Sequence, residues 1–264
     1  MAGRILLNEW TVLAIHYGTA QRPVSDLILE TDDIHDRPSQ IDYFVWLIRL
    51  EDRLILVDTG FEAGEGAARG RTLLIHPVAA LSSLGIKSSE ITDVVVTHLH
   101  YDHAGNLPAF PNATFHIQDR EMAYGTGRCM CHERMRRPFA TEGVVDAVRL
   151  VFQSRVRFHD GDGEIVPGCR VHLVGGHSKG LQVVTVATGG ALLVIASDAL
   201  HFQHYLENDG AFPLFADYLE VIEGYNKLRV LAGANGLIIP GHDPEVLQKF
   251  SPLAPDLQFA RVLL

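Results

Sequence analysis

Apolar and polar positions along the chain break it into short strand-like runs that stop at Gly- or Asp-containing turns, with few stretches of helical spacing. The runs Tyr43–Leu50 and Leu54–Val57, β-branched and aromatic, flank Glu51, Asp52 and Arg53 and predict a hairpin ending at Asp58-Thr59-Gly60. Pro77–Leu84 has helical spacing, and Ser88-Ser89-Glu90 then leads into Asp93–Thr97. That run is too short for a helix and rich in valine, so it predicts a buried strand that stops at His98. Thr114–Ile117 predicts another strand, followed by a helix from near Asp119. Gly125–Thr141 carries Gly, Pro, Met and arginines without clean periodicity and is expected to be a mobile loop or lid. Beyond Ser154 the pattern turns to strands again, at Val171–Val174, Leu181–Thr188 and Ala191–Ala196. Pro213–Leu231 is the strongest helical stretch, and Gly236–Ile239 is a last strand before Gly241-His242.

Each half thus places strands before helices, with a break near residues 145–155 and no Ser/Pro/Gly linker between them. The expectation is one domain over residues 1–264, of the α/β (α+β) class. Two β-rich halves packed face to face, with helices outside, would form a four-layer αββα sandwich.

Composition supports a packed body: 264 residues, 47% hydrophobic and 20% charged, are too apolar for a disordered chain. No apolar run reaches the roughly 18 residues of a membrane span, and the opening MAGRILLNEWTVLAIHYG lacks a signal-peptide pattern. The expectation is a cytoplasmic protein with no membrane association. A formal charge of −10 repels phosphate backbones and argues against a nucleic-acid partner. Cys129, Cys131 and Cys169 are too sparse for a disulfide framework and fit a reducing compartment. Histidine is unusually frequent, with 14 residues, several beside Gly and Asp at the ends of apolar runs.

The densest cluster is Thr97-His98-Leu99-His100-Tyr101-Asp102-His103-Ala104-Gly105-Asn106. At the end of an extended strand, residues two apart point the same way, so His98 and His100 can present imidazoles to one ion. Asp102 and His103, past the turn, can reach a neighbouring ion, and Gly105 gives the backbone room to bend into a following helix. Polar groups directly after a buried valine-rich strand are costly unless paired or metal-bound. Imidazole and carboxylate without thiolate suit Zn²⁺ first, with Fe, Mn or Co also compatible. Paired divalent ions lower the pKa of bound water to about 7 and hold both a hydroxide nucleophile and a substrate oxygen.

The string His-x-His-x-Asp-His after a strand resembles the mark of the metallo-β-lactamase superfamily, and later residues extend the resemblance in order: His177 in Gly175-Gly176-His177-Ser178, Asp198 closing Leu192–Ser197, and His242 in Pro240-Gly241-His242-Asp243. Asp58 in Asp58-Thr59-Gly60 matches the supporting Asp-x-Gly turn, which binds no metal. The resemblance implies a metallo-β-lactamase-like fold with two divalent ions per chain. One would be held by His98, His100 and His177, the other by Asp102, His103 and His242, with Asp198 bridging.

Within the superfamily the chain looks most like the N-acyl-homoserine lactonase branch, through Leu54–Gly60, Asp102-His103-Ala104-Gly105, Gly176-His177-Ser178-Lys179-Gly180-Leu181-Gln182 and Pro240-Gly241-His242-Asp243. This implies a hydrolase in which hydroxide opens a cyclic ester and Asp102 relays a proton to the leaving alkoxide; homodimers are common in that branch. Two positions depart from it. Leu181 stands where the branch has His, and His201 stands where it has the Tyr that stabilises the oxyanion. His201, Tyr205 or Tyr101 would take that part. The same centre would also suit a thioesterase of glyoxalase II type or an amide or cyclic-imide hydrolase, while His100 argues against the di-iron flavoproteins, which carry Glu there. The substrate is expected to be a small carbonyl compound with an aromatic or acyl body carrying a carboxylate. Phe202, Tyr205, Phe212 and Phe215 would meet the body, and Arg128, Arg134, Arg136 and Arg137 the carboxylate, with Met130 and Met135 lining the same lid.

Overall fold

The run Ile41–Ile48, apolar but for Asp42, is buried at every position rather than every second one, as a strand must be when both faces of its sheet are covered. The computed structural model describes residues 11–29, 38–50 and 53–264. Its strands are β1 (Thr11–Pro23), β2 (Pro38–Leu50), β3 (Arg53–Val57), β4 (Thr72–Leu73), β5 (Asp93–Val95), β6 (Thr114–Gln118), β7 (Val156–His159), β8 (Gly163–Val166), β9 (Cys169–Leu173), β10 (Gln182–Thr188), β11 (Ala191–Ser197), β12 (Leu237–Pro240) and β13 (Ala260–Val262). Its helices are α1 (Ala63–Ala68), α2 (Pro77–Ser83), α3 (Asp119–Thr126), α4 (Glu133–Arg136), α5 (Thr141–Phe152), α6 (Tyr205–Asn208), α7 (Tyr218–Ala232) and α8 (Glu245–Lys249).

One sheet has the order β13-β1-β2-β3-β5-β6-β7, with β4 added on β1; the other runs β12-β11-β10-β9-β8. The hairpin expected at residues 43–57 is the antiparallel pair β2–β3, in which Trp46 faces Val57 and Leu50 faces Arg53; Glu51 and Asp52 lie outside the described residues. Alternate residues of β2 serve two cores. Phe44, Trp46 and Ile48 meet Val171, Val184 and Ile195 of the second sheet, whereas Tyr43, Val45 and Leu47 share a cluster with Leu81 of α2 and Leu150 of α5. On the far face of the second sheet, Val183, Val194 and Ala196 join Tyr225 and Leu228 of α7. Side chains that alternate between two covered faces on both sheets therefore produce the expected αββα layering.

Several boundaries differ from the sequence expectation. The segment 145–155 lies in α5 and the turn after it, β7 still extends the first sheet, and the second sheet begins only at Gly163. The strand β13 then returns to the first sheet beside β1. The helix expected from Pro213 starts at Tyr218, because Asp217 caps it by accepting a hydrogen bond from the Glu220 amide at 3.1 Å. The segment expected to be an irregular lid is folded: a 3-10 turn at Arg128–Cys131 and α4 occupy it. Its end is pinned, since the Pro138 carbonyl accepts from the Tyr101 amide at 2.9 Å and the Arg137 carbonyl from Arg69 at 2.6 Å. Among the described residues, no helix is long and apolar enough to cross a membrane.

Candidate metal centre

Valines 94 and 95 are fully buried, which fixes β5 in the sheet and delivers the next residues, Thr97 to His103, at a defined place. The Gly105 amide donates to the Gly60 carbonyl at 2.9 Å, and a side chain at Gly105 would meet that carbonyl oxygen at 2.6 Å. Its role is thus a close backbone approach that locks the turn against the end of β3. In place of the expected helix the chain then makes only a 3-10 turn, Leu107–Ala109. The loop between β9 and β10 brings in His177, the end of β11 brings Asp198 and the end of β12 brings His242. All seven metal-ligating candidates, His98, His100, Asp102, His103, His177, Asp198 and His242, are buried.

They converge. The donor atoms of His98, His100 and His177 lie within 4.8 Å of one another, as do those of Asp102, His103 and His242, and of His98, His103 and Asp198. Asp198 sits between the groups: its Oδ1 is 3.1 Å from His103 Nε2 and 3.0 Å from His242 Nε2, and its Oδ2 is 3.1 Å from His177 Nε2. His98 Nε2, His103 Nε2 and His177 Nδ1 are buried without a hydrogen-bond partner. His100 Nδ1 and His177 Nε2 approach to 3.0 Å. Unpartnered imidazole nitrogens crowded around two carboxylates are costly as they stand and fit cations among them. The cluster fits a divalent-metal site.

The residues behind the ligands fix which ring nitrogen faces inward. His103 Nδ1 pairs with Asp58 Oδ2 at 2.8 Å, and His242 Nδ1 donates to the Asp42 carbonyl at 2.8 Å, so both rings turn Nε2 to the centre. Asp58 also accepts from the Thr97 amide and hydroxyl, each at 2.8 Å, and Ser197 Oγ stands 3.4 Å away. Asp58 and Ser197 adopt left-handed backbone, with φ of 62° and 46°. This is strain held in place by the packing around the site. A second clamp is Glu121 on α3, whose carboxylate accepts from the Leu99 amide (2.9 Å), Ser178 Oγ (2.7 Å) and the Gly180 amide (2.9 Å).

Burial, helped by neighbouring histidines, holds His98 and His100 well below the usual imidazole range, so they are neutral and keep lone pairs for a metal. Burial works the same way on His103, but Asp198, Asp58 and Asp102 outweigh it and raise that group well above the ordinary value. Burial would raise the Asp198 carboxyl, but His242, His103, His201 and His177 outweigh it and hold that group well below its usual range.

The oxyanion candidates separate. His201 lies in the cluster: its Nε2 is 3.1 Å from Asp198 Oδ2, its ring stacks on Phe212 at 4.2 Å, and burial pushes it down to about 3. The structure does not bring Tyr205 there. Its ring is fully buried and its hydroxyl donates to the Leu27 carbonyl, so packing of α6 against the 3-10 turn at Val24–Asp26 claims it. The Tyr101 hydroxyl accepts from Arg71 Nε at 3.0 Å. Of the aromatic candidates, Phe212 reaches the cluster through His201, Phe202 packs edge-on to Tyr205, and Phe215 packs on Tyr218. Phe215, Arg134 and Met135 line the narrow pocket over His100 and His177, while Arg128, Arg136 and Met130 line clefts farther along α3 and α4. Leu181 is buried in the core. Asp42, Glu121 and Arg71 escape a reading of the sequence. Asp42 acts through a carbonyl that every residue type carries, and the other two sit in segments with no motif.

Residues 41–244 match the family model described as the metallo-β-lactamase superfamily. The N-acyl homoserine lactonase AttM of Azorhizobium caulinodans is 30% identical over 188 residues, 66% of either chain. Two solved structures share the fold. An N-acyl homoserine lactone hydrolase with the product N-hexanoyl-L-homoserine at its catalytic metal centre has a TM-score of 0.76 at 21% identity, over 93% of this chain and 98% of that one. AidC, a dizinc quorum-quenching lactonase in complex with a product, has a TM-score of 0.72 at 19% identity, over 92% and 90%.

Proposed function

As the chain belongs to the metallo-β-lactamase superfamily and is a hydrolase of that fold, we propose that it opens lactones at a dinuclear centre, with Zn²⁺ as the resident ion. The observation that carries this is the pair of unpartnered nitrogens, Nε2 of His98 and of His103, facing Asp198, with His177 Nε2 also 3.1 Å from that carboxylate. In this reading His98, His100 and His177 would hold one ion, Asp102, His103 and His242 the other, and Asp198 both. When bound, such a pair supplies Lewis acidity and activates water at neutral pH.

The chain's own residues do the rest. Asp58 and the Asp42 carbonyl fix the rings of His103 and His242, and Glu121 ties the turn at Leu99 to the turn at Ser178 and Gly180. Asp102 carries the proton to the leaving alkoxide, and His201 supports the developing oxyanion. Because the ligands come from strand ends of both sheets, we take the two halves to work as one domain. Three free cysteines agree with a cytoplasmic location. The lactonase reading is supported by the name of the relative from Azorhizobium and by the product named in the similar structure.

A panel of lactones, thioesters and cyclic imides at matched concentration, given to the metal-loaded chain, tests the proposal. Lactones are expected to be turned over best, and Asp102→Asn and His103→Ala are expected to abolish turnover. Inactivity on every lactone, or full activity in those variants, would overturn it.

A further inference from the structure

Beside the metal cluster runs a second cleft, of about 350 Å³, that the hydrolytic chemistry does not use. Pro138, Pro213 and Leu214 form a wall shared by this cleft and the narrow pocket over His100 and His177, so the two are adjacent. Phe212, stacked on His201, also faces it. Among the described residues, four arginines line the cleft, Arg22, Arg69, Arg71 and Arg137, against one acid, Asp26. In a chain of net charge −10, this is a local reversal of sign.

The arginines differ in what they already hold. Arg22 pairs with Asp26 at 2.7 Å and Arg69 with Glu65 at 2.6 Å. Arg71 is half-buried and spends Nε on the Tyr101 hydroxyl and Nη1 on the Arg69 carbonyl. Among the described residues, neither Arg71 nor Arg137 has a carboxylate partner. A half-buried guanidinium of fixed orientation with no counter-ion is poised for an anion, since its planar fork matches a carboxylate. A cleft for a purely neutral acyl chain would gain nothing from these charges.

We propose that this cleft is a subsite for a carboxylate carried by the substrate, anchored by Arg71 and Arg137, so that the compound hydrolysed next door is an anionic ester or lactone. As a substrate assignment this rests on the hydrolase reading; the anion subsite itself does not. The substrate's carbonyl lies over the His/Asp cluster, its body crosses the wall formed by Pro138 and Leu214, and its far carboxylate meets the arginines.

The test is calorimetric titration of the metal-loaded chain with dicarboxylates from succinate to suberate and with their monoamides. Both members of a pair offer one carboxylate to the metal end and differ only at the other. At the matching length the dicarboxylate is expected to bind about tenfold to a hundredfold tighter, as charged hydrogen bonds do. The gap should shrink with added salt and close in Arg71→Met. Arg137→Met, which loses no side-chain hydrogen bond, should narrow it even if Arg71→Met fails to fold. No length at which the dicarboxylate outbinds its monoamide, or a gap that survives both substitutions, would overturn the subsite. Lactone turnover without such a gap leaves the hydrolase standing and removes the subsite; a gap without any turnover does the reverse.

Discussion

Asp58 meets four groups on three residues: the Thr97 amide and hydroxyl, His103 Nδ1 and Ser197 Oγ. Replacing it by Asn keeps the size but removes the charge that holds the imidazole of His103. Asp58→Asn is expected to weaken metal binding about tenfold to a hundredfold, as changes behind a metal ligand do, read by competition with a chelator. Wild-type affinity in this variant would contradict the role. Two of the three oxyanion candidates make a sharper contrast. His201→Ala should lower kcat by about 10²–10³-fold, the usual cost of losing one oxyanion donor. Tyr205→Phe should leave kcat near wild type and lower stability by about 1 kcal/mol, the net value of one hydrogen bond. Steady-state kinetics and denaturation of both variants check this, and a kcat collapse in Tyr205→Phe would reverse the assignment. The candidate ligands themselves are legible in the sequence because their side chains must be His or Asp in order. Tyr205 misleads because the sequence shows an aromatic near Asp198 without showing that the Leu27 carbonyl lies within its reach.

The elements legible in the sequence are those whose burial is one-dimensional. β2, β5, β10 and β11 are nearly continuous apolar runs, and a strand covered on both faces leaves that trace. The long β1 escapes prediction, as does α5. The first mixes Gly18, Thr19 and Gln21 into its run, and the second contains Gly143 and paired valines that read equally well as strand. The edge β6–β7 also hides a titrating group. His159 on β7 approaches His116 Nδ1 at 3.0 Å, and burial, with His116 and Arg157 adding to it, pushes His159 down to about 4. The unfolded chain takes up that proton near pH 6.5 and the folded chain near 4. Between those values the unfolded state binds more protons, so this contribution to stability is complete above about pH 6.5 and is lost as the pH falls. His159→Gln is expected to lose less stability than wild type between pH 7 and pH 4.5, measured by urea midpoints. Equal losses in the two proteins would contradict it.

At the scale of the whole molecule, the sandwich exists to bring strand ends from two sheets to one place. The first sheet supplies Asp58 and the turn from His98 to His103, and the second supplies His177, Asp198 and His242. The four layers can be read from runs of strands and helices, but the return of β13 to β1 cannot, because three residues at the far end carry no periodicity. Nor does a sequence show that four arginines from distant segments share one cleft. The function proposed for this chain requires the joined strand ends to hold a pair of divalent ions through Asp198. The decisive measurement is metal content per chain, determined by mass spectrometry on protein reconstituted with zinc and freed of excess. About two equivalents are expected in the wild type, as in two-metal hydrolytic sites, and fewer in Asp198→Ala. No bound metal, or the same content in both proteins, would contradict it.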